Sequence, residues 1–225
     1  MTNPKTIAVI PARGGSKRLP GKNTKLLGAY PLLVHSIKYA QNFQDIIDEI
    51  IVSTDSEEIA DLAKTYGAKV IHRPAHLAGD LEPVITALQH VLDALDEVVE
   101  NVVLLQPTNP LRPKVLLREA FSVFEAMKVS SLMTISKLEA KFGSITGNSF
   151  VPINYNMGQR SQDLPPLYRE NGLLYICKAA TIKKGLILTE DNHGFVTDSP
   201  FNDVDIDTEN DFLFAETLLK KYEDQ

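Results

Sequence analysis

The chain has 225 residues, 44% apolar and 23% charged, with 23 basic against 29 acidic side chains and a formal net charge of −6. That balance excludes a disordered chain and a disulfide scaffold, and the acidic excess argues against a general nucleic-acid binder. The single cysteine, Cys177, fits a reducing compartment. With a polar start at Met1–Lys5 and no apolar run near the roughly 18 residues of a membrane span, a cytoplasmic protein with neither secretory leader nor membrane partner is expected.

Thr6–Ile10 reads as a buried strand followed by a long polar loop. A helix opens at Pro31, a residue suited to a first helical turn, with Leu32, Leu33, Ile37 and Ala40 on related faces. Glu49–Ser53 is a second strand, and Asp55-Ser56-Glu57-Glu58 caps a helix that Gly67 closes after Tyr66. Lys69–His72 forms a third strand, Val84–Leu95 a helix, Asn101–Leu105 a strand buried on both faces, Pro113–Met127 a helix and Ser131–Ser136 a strand. The rhythm breaks over residues 137–170, where Gly, Pro, Asn and Gln are frequent. An insertion of that length is functional or an interaction arm. Gly172–Cys177 restores the strands, and Thr208-Glu209-Asn210-Asp211 caps a last helix carrying Phe212, Phe214, Ala215, Leu218 and Leu219. Strand–helix alternation implies parallel pairing with right-handed crossovers. The expected class is α/β, a Rossmann-like, mostly parallel sheet with helices on both faces. Residues 1–136 and 171–225 form its nucleotide-binding unit, and 137–170 a separate arm.

The loop after the first strand carries the sharpest local signal. Arg13, Lys17, Arg18, Lys22 and Lys25 put five cations into an acidic chain, interleaved with Gly14, Gly15 and Gly21. Glycines let backbone N–H groups approach an anion and cations neutralise it. The C-terminal end of a parallel strand is where such sheets bind ligands. The loop is neither a Walker P-loop nor a G-x-G-x-x-G fingerprint. Asp203-Val204-Asp205-Ile206-Asp207 is the second signal, since side chains at i and i+2 of an extended segment share a face. Its carboxylates suit a hard cation, Mg²⁺, held jointly with a substrate phosphate. In Leu104–Arg112 a polar Gln106 leaves an apolar strand, which suits a ligand hydrogen bond. Read as an ordinary turn, the same segment leaves Arg112 to pair a neighbouring acid. Cys177 belongs to the core. The five histidines show no metal-ligand spacing, and Ser16 lacks a hydrolase elbow.

Taken in order, Ile10–Asn23 (IPARGGSKRLPGKN), Ile51–Asp55 (IVSTD), Arg73-Pro74 with Leu77–Asp80 (LAGD), Leu104–Arg112 (LLQPTNPLR), Arg169–Tyr175 (RENGLLY) and Asp205–Glu209 (DIDTE) resemble the acylneuraminate cytidylyltransferases, from first strand to last helix. The resemblance implies that the anomeric hydroxyl of a nine-carbon 2-keto sugar acid attacks the α-phosphate of CTP, releasing pyrophosphate. N-acetylneuraminic acid is the default acceptor; legionaminic, pseudaminic and Kdo acids are the alternatives, and a non-catalytic nucleotide-sugar binder is a distant one. By similarity, Ala12, Arg13, Gly14, Lys17, Lys22, Asn23, Arg73 and Asp80 bind CTP. Gln106, Lys141, Arg160, Arg169 and Asn171 face the sugar acid, and Asp205 and Asp207 hold Mg²⁺. Arg13, Lys17 and Asp207 are the implied catalytic residues, with Asp207 a candidate proton acceptor. Gly79 stands where some members carry Ser, so one contact to the base is missing or replaced. The arm implies a homodimer whose subunits share basic residues.

Overall fold

A computed structural model describes residues 5–222. Strand β1 (Lys5–Pro11) runs into the basic loop and a small ribbon of β2 (Leu26–Leu27) and β3 (Tyr30–Pro31), then α1 (Leu32–Gln41). The chain continues through β4 (Glu49–Thr54), α2 (Glu57–Thr65), β5 (Lys69–His72), α3 (Val84–Asp93), β6 (Val99–Leu104), α4 (Leu116–Met127) and β7 (Ser131–Leu138). A hairpin of β8 (Gly143–Thr146) and β9 (Ser149–Pro152) follows, then β10 (Leu167–Lys178), α5 (Ala179–Lys183), β11 (Asn192–Val196) and α6 (Glu209–Tyr222). Every strand and helix expected from periodicity is present, with ends shifted by a few residues.

Seven strands form one sheet in the order β11-β7-β10-β6-β1-β4-β5. β5, β4, β1 and β6 are parallel, as are β7 and β11, whereas β10 runs antiparallel to both its neighbours. The reversal matters for the site. Tyr175 pairs with Leu104 at the end of β6, so the earlier residues of β10 pass beyond that end, to the edge where β1, β4 and β5 also stop. β7 and β10 stay paired as far as Leu138 and Leu167, with a register break between Glu170 and Tyr175. The residues between those ends carry the β8–β9 hairpin.

Apolar side chains pack on both faces, as sheet-and-helix layering requires. On one face Leu33, Ile37, Ile59, Ala63, Leu117 and Phe124 of α1, α2 and α4 cover the sheet. On the other, Leu88, Val91 and Leu92 of α3 and Ile182 of α5 cover Ile7, Val9, Ile51 and Val102. A third cluster lies at the site: Leu19 and Leu27 from the loop region pack with Val204, Ile206 and Phe212. This cluster, and not a strand ladder, seats the acidic segment next to the basic loop.

Candidate active site

Alternation places the acidic segment. Val204 and Ile206 are buried, while Asp203 and Asp205 are exposed and Asp207 is half-buried. Asp203 nevertheless leaves the group, because its carboxylate pairs with Arg169 of β10. Only Asp205 and Asp207 share a cleft of about 370 Å³ with Arg13, Lys17, Arg18 and Lys22. Arg73 and Gln106 line the same cleft.

The cations are already counterbalanced. Arg13 Nη1 lies 2.6 Å from Asp80 Oδ1, and Lys17 pairs with the other Asp80 oxygen. These hydrogen bonds, Lys17's first and Arg13's second, hold the Asp80 carboxyl below the usual carboxylate range. Arg18 Nη2 lies 2.7 Å from Asp207 Oδ2. Lys22, largely buried, lies 3.1 Å from Asp207 Oδ1 and donates to the Ile206 carbonyl at 2.8 Å. The loop is thus folded around two carboxylates, Asp80 and Asp207. Arg73 is partly buried, and that burial, more than the nearby Arg13 charge, lowers its pKa, while Asp55 opposes the shift.

Other residues of the loop brace it. Asn23 is buried and donates to the Arg13 carbonyl at 3.0 Å. Ala12 continues the edge of β1 through its N–H to the Ser53 carbonyl at 2.9 Å. The Gly14 N–H donates to Asp55 Oδ1 at 2.9 Å, and a Cβ on Gly14 would come within 2.9 Å of Ser56 Cβ. Glycine is needed there for close approach. Lys25, one of the five cations, is turned away to Glu209 at 2.6 Å.

Three roles differ from those expected. Ser56, not Asp55, caps α2 by accepting from the Ile59 N–H at 3.4 Å, which frees Asp55 for the loop. Among the described residues Arg112 pairs no acid. It is buried and donates to the carbonyls of Leu173 at 2.6 Å and Gln106 at 2.8 Å and to Ser36 Oγ at 3.1 Å. Desolvation pushes its pKa down to about 10. Asn171, expected at the sugar, is buried: its Oδ1 accepts from Thr134 Oγ1 at 2.6 Å and its Nδ2 donates to Thr197 Oγ1 at 2.7 Å. It braces β7 against the turn after β11.

Lys141 and Arg160 lie in the arm and do not line this cleft. Lys141 bonds the Gln159 carbonyl, and Arg160 Nε lies 2.7 Å from Asp163. Cys177 is a core residue, as expected, with burial pushing its thiol up to about 12. The braces Asp55 and Asn109 were missed. Only their places in IVSTD and LLQPTNPLR signalled them.

A cytidylyltransferase family profile matches residues 7–224. The chain is 37% identical to the CMP-N,N'-diacetyllegionaminic acid synthase of Legionella pneumophila, over 95% of this chain and 96% of that one. It is 33% identical to the pseudaminic acid cytidylyltransferase of Campylobacter jejuni, over 96% and 97%. An N-acylneuraminate cytidylyltransferase of Streptococcus agalactiae is 32% identical over 93% of this chain, which spans 52% of that relative. Among solved structures, CMP:2-keto-3-deoxy-manno-octonic acid synthetase complexed with CTP shares the fold, with a TM-score of 0.72 at 18% identity over 97% of this chain and 99% of that one. With its profile match running from the first strand through the last helix, the chain belongs to the cytidylyltransferase family.

Proposed function

We propose that the enzyme couples CTP to a nine-carbon 2-keto-3-deoxy sugar acid, N-acetylneuraminic acid by default, to give the CMP-sugar and pyrophosphate. The observation that carries this reading is the cleft that Arg13, Lys17, Arg18 and Lys22 share with Asp205, Asp207 and Gln106. Such a site combines cations for a polyphosphate, carboxylates for a metal and an amide for the acceptor. The anomeric oxygen bonds to the α-phosphorus as the bond to the bridging oxygen breaks, and that electron pair leaves with pyrophosphate. Arg13 and Lys17 stabilise the charge that builds on the leaving group. Asp207 accepts the hydroxyl proton.

Asp205 and Asp207 fit Mg²⁺ as hard oxygen donors. Among the described residues no group of three or more His, Cys, Asp or Glu can hold a metal, so the pair would share Mg²⁺ with substrate phosphates. When bound, the ion supplies charge neutralisation and orientation of the phosphates.

The arm supports a C₂ homodimer in which Lys141 and Arg160 serve the site of the other subunit. No helix among the described residues is long and apolar enough to cross a membrane, which suits a cytoplasmic enzyme supplied with CTP. A second acceptor, N,N'-diacetyllegionaminic acid, is favoured by the 37% identity over nearly the full length of both chains.

The test is pyrophosphate release with CTP, Mg²⁺ and a panel of nine-carbon keto acids. Release with one acid establishes the reaction and names the acceptor. Silence across the panel with no CTP binding overturns the reading.

A further inference from the structure

We infer that Asn109 is a positioning residue that fixes Asp205 and Asp207 relative to Gln106 and the basic loop; this rests on the cytidylyl-transfer reading above. Residues 204–206 belong to no strand, so no ladder sets their backbone. Two bonds from the Gln106–Arg112 turn do so instead. Asn109 Nδ2 donates to the Val204 carbonyl at 2.6 Å, and the Thr108 carbonyl accepts from the Ile206 N–H at 2.8 Å. The peptide groups on both sides of Asp205 are therefore anchored to one turn. On the far side of Ile206, its carbonyl accepts from Lys22.

The residue type matters. Asn109 is 1% exposed, and its amide carries two protons. One serves Val204, and the other reaches the Asn171 carbonyl at 3.1 Å. Asn109 Oδ1 accepts from Thr108 Oγ1 at 3.1 Å. Gly172, at φ +71°, makes room, since a Cβ there would fall 2.7 Å from Asn109 Oδ1. Arg112 closes the turn by holding the Gln106 carbonyl. The amide assigned to the acceptor and the carboxylates assigned to the metal thus sit on one braced piece. Partners one layer out from a metal commonly set its affinity by about 10–100-fold.

Asn109→Ala and Asn109→Ser test this, because both shorten the side chain by the amide that reaches Val204, while Ser keeps a polar atom at Cβ. The readout is the Mn²⁺ affinity of the CTP complex, from the free-Mn²⁺ electron paramagnetic resonance signal. Beside it stand metal-free CTP affinity by calorimetry and exchange of the Ile206 amide. For Ala and Ser alike we expect Mn²⁺ affinity about tenfold or more below wild type, faster Ile206 exchange and unchanged metal-free CTP binding. Wild-type Mn²⁺ affinity in Asn109→Ala would overturn the inference. So would a parallel loss of metal-free CTP binding, which would mark a packing role. If Asn109→Ala does not fold, Asn109→Ser against wild type decides by the same measurements, and a Ser variant that also fails to fold makes Asn109 a pillar of the whole fold and overturns the inference. Wild-type protein that binds CTP and Mn²⁺ yet releases no pyrophosphate removes the reaction and leaves the clamp standing, because this readout needs no turnover.

Discussion

The basic-loop end of the cleft is braced within one chain, whereas the arm leaves much of its apolar surface in solvent. At the first end Arg13, Lys17, Arg18 and Lys22 each have a carboxylate partner, and Val204 and Ile206 are buried beneath the acidic segment. In the arm Ile145 is 71% exposed, Ile153 65% and Met157 70%, with Phe150 also exposed. Among the described residues, Lys141 and Arg160 there bond only to residues of the arm itself. The difference teaches that the proposed phosphate and metal roles rest on contacts within one chain, while the proposed acceptor role rests on a second copy. Isolated exposed apolar residues are ordinary; Ile145, Phe150, Ile153 and Met157 are what the proposed dimer would cover.

The largest expected effect breaks the braced end. Asp207→Asn removes one carboxylate from the cleft and leaves Arg18 and Lys22 without their partner. Turnover should fall by about 10²–10³-fold, the scale for losing one preorganised electrostatic partner. Steady-state pyrophosphate release measures it. An Asp207→Asn enzyme with full turnover would remove both the metal and the proton-acceptor roles from this residue.

The next effect strikes the arm. Ile145→Asp combined with Phe150→Lys places opposite charges on two exposed apolar positions that face each other across the β8–β9 hairpin. Within one chain neither substitution opens a cavity, so the melting temperature should hold. Dimer dissociation should rise by about 30-fold or more, the weight of roughly 2 kcal/mol at an interface hot spot. Sedimentation velocity reads the assembly, and pyrophosphate release should fall with the dimer fraction. A monomer with full activity would make the arm irrelevant to the acceptor and erase the contrast between the two ends.

Legibility in the sequence follows the same division. β1, β4 and β6 are dense in Val and Ile because they are interior parallel strands, and such runs are visible without context. The antiparallel direction of β10 was not visible, since TIAVI and GLLYIC look alike as strings and direction is set by what the arm does between β7 and β10. β11, Asn192–Val196, is a short edge strand with Asn, His and Gly in it, so its pairing with β7 comes from tertiary contact and not propensity. At the site, the alternation of Asp203–Asp207 was legible, but the departure of Asp203 was not, because Arg169 reaches it across 34 positions. Arg112 misled for a related reason. An arginine beside prolines suggests a surface turn, whereas here it is buried against three oxygen acceptors supplied by residues far apart in sequence. Local patterns specify which face a residue takes, and only the assembled fold specifies which partner meets it there.

The smallest effect concerns how the acidic segment joins α6. Thr208 and Asp211 form a capping pair: Asp211 Oδ2 accepts from the Thr208 N–H at 2.7 Å, from Thr208 Oγ1 at 2.8 Å and from the Asp207 N–H at 3.1 Å. The Thr208 side-chain bond is the chief cause that lowers the Asp211 pKa, with the two backbone N–H groups adding to it. A carboxyl lowered on folding stabilises the native state above its unfolded value of about 3.9, and that contribution is lost as pH falls through the lower native value. Asp211→Asn should therefore melt slightly below wild type at pH 7, by less than the ~1 kcal/mol of a full cap loss, because the group is only partly shielded from solvent. As pH falls through the lowered native value the wild-type carboxyl itself becomes neutral, and the two melting curves should converge. Convergence would locate the gain in the charge on Asp211. A constant gap across the pH range would place it in geometry alone. In that case the join between Asp207 and α6 would resemble the arm, held by shape, more than the counterbalanced loop opposite.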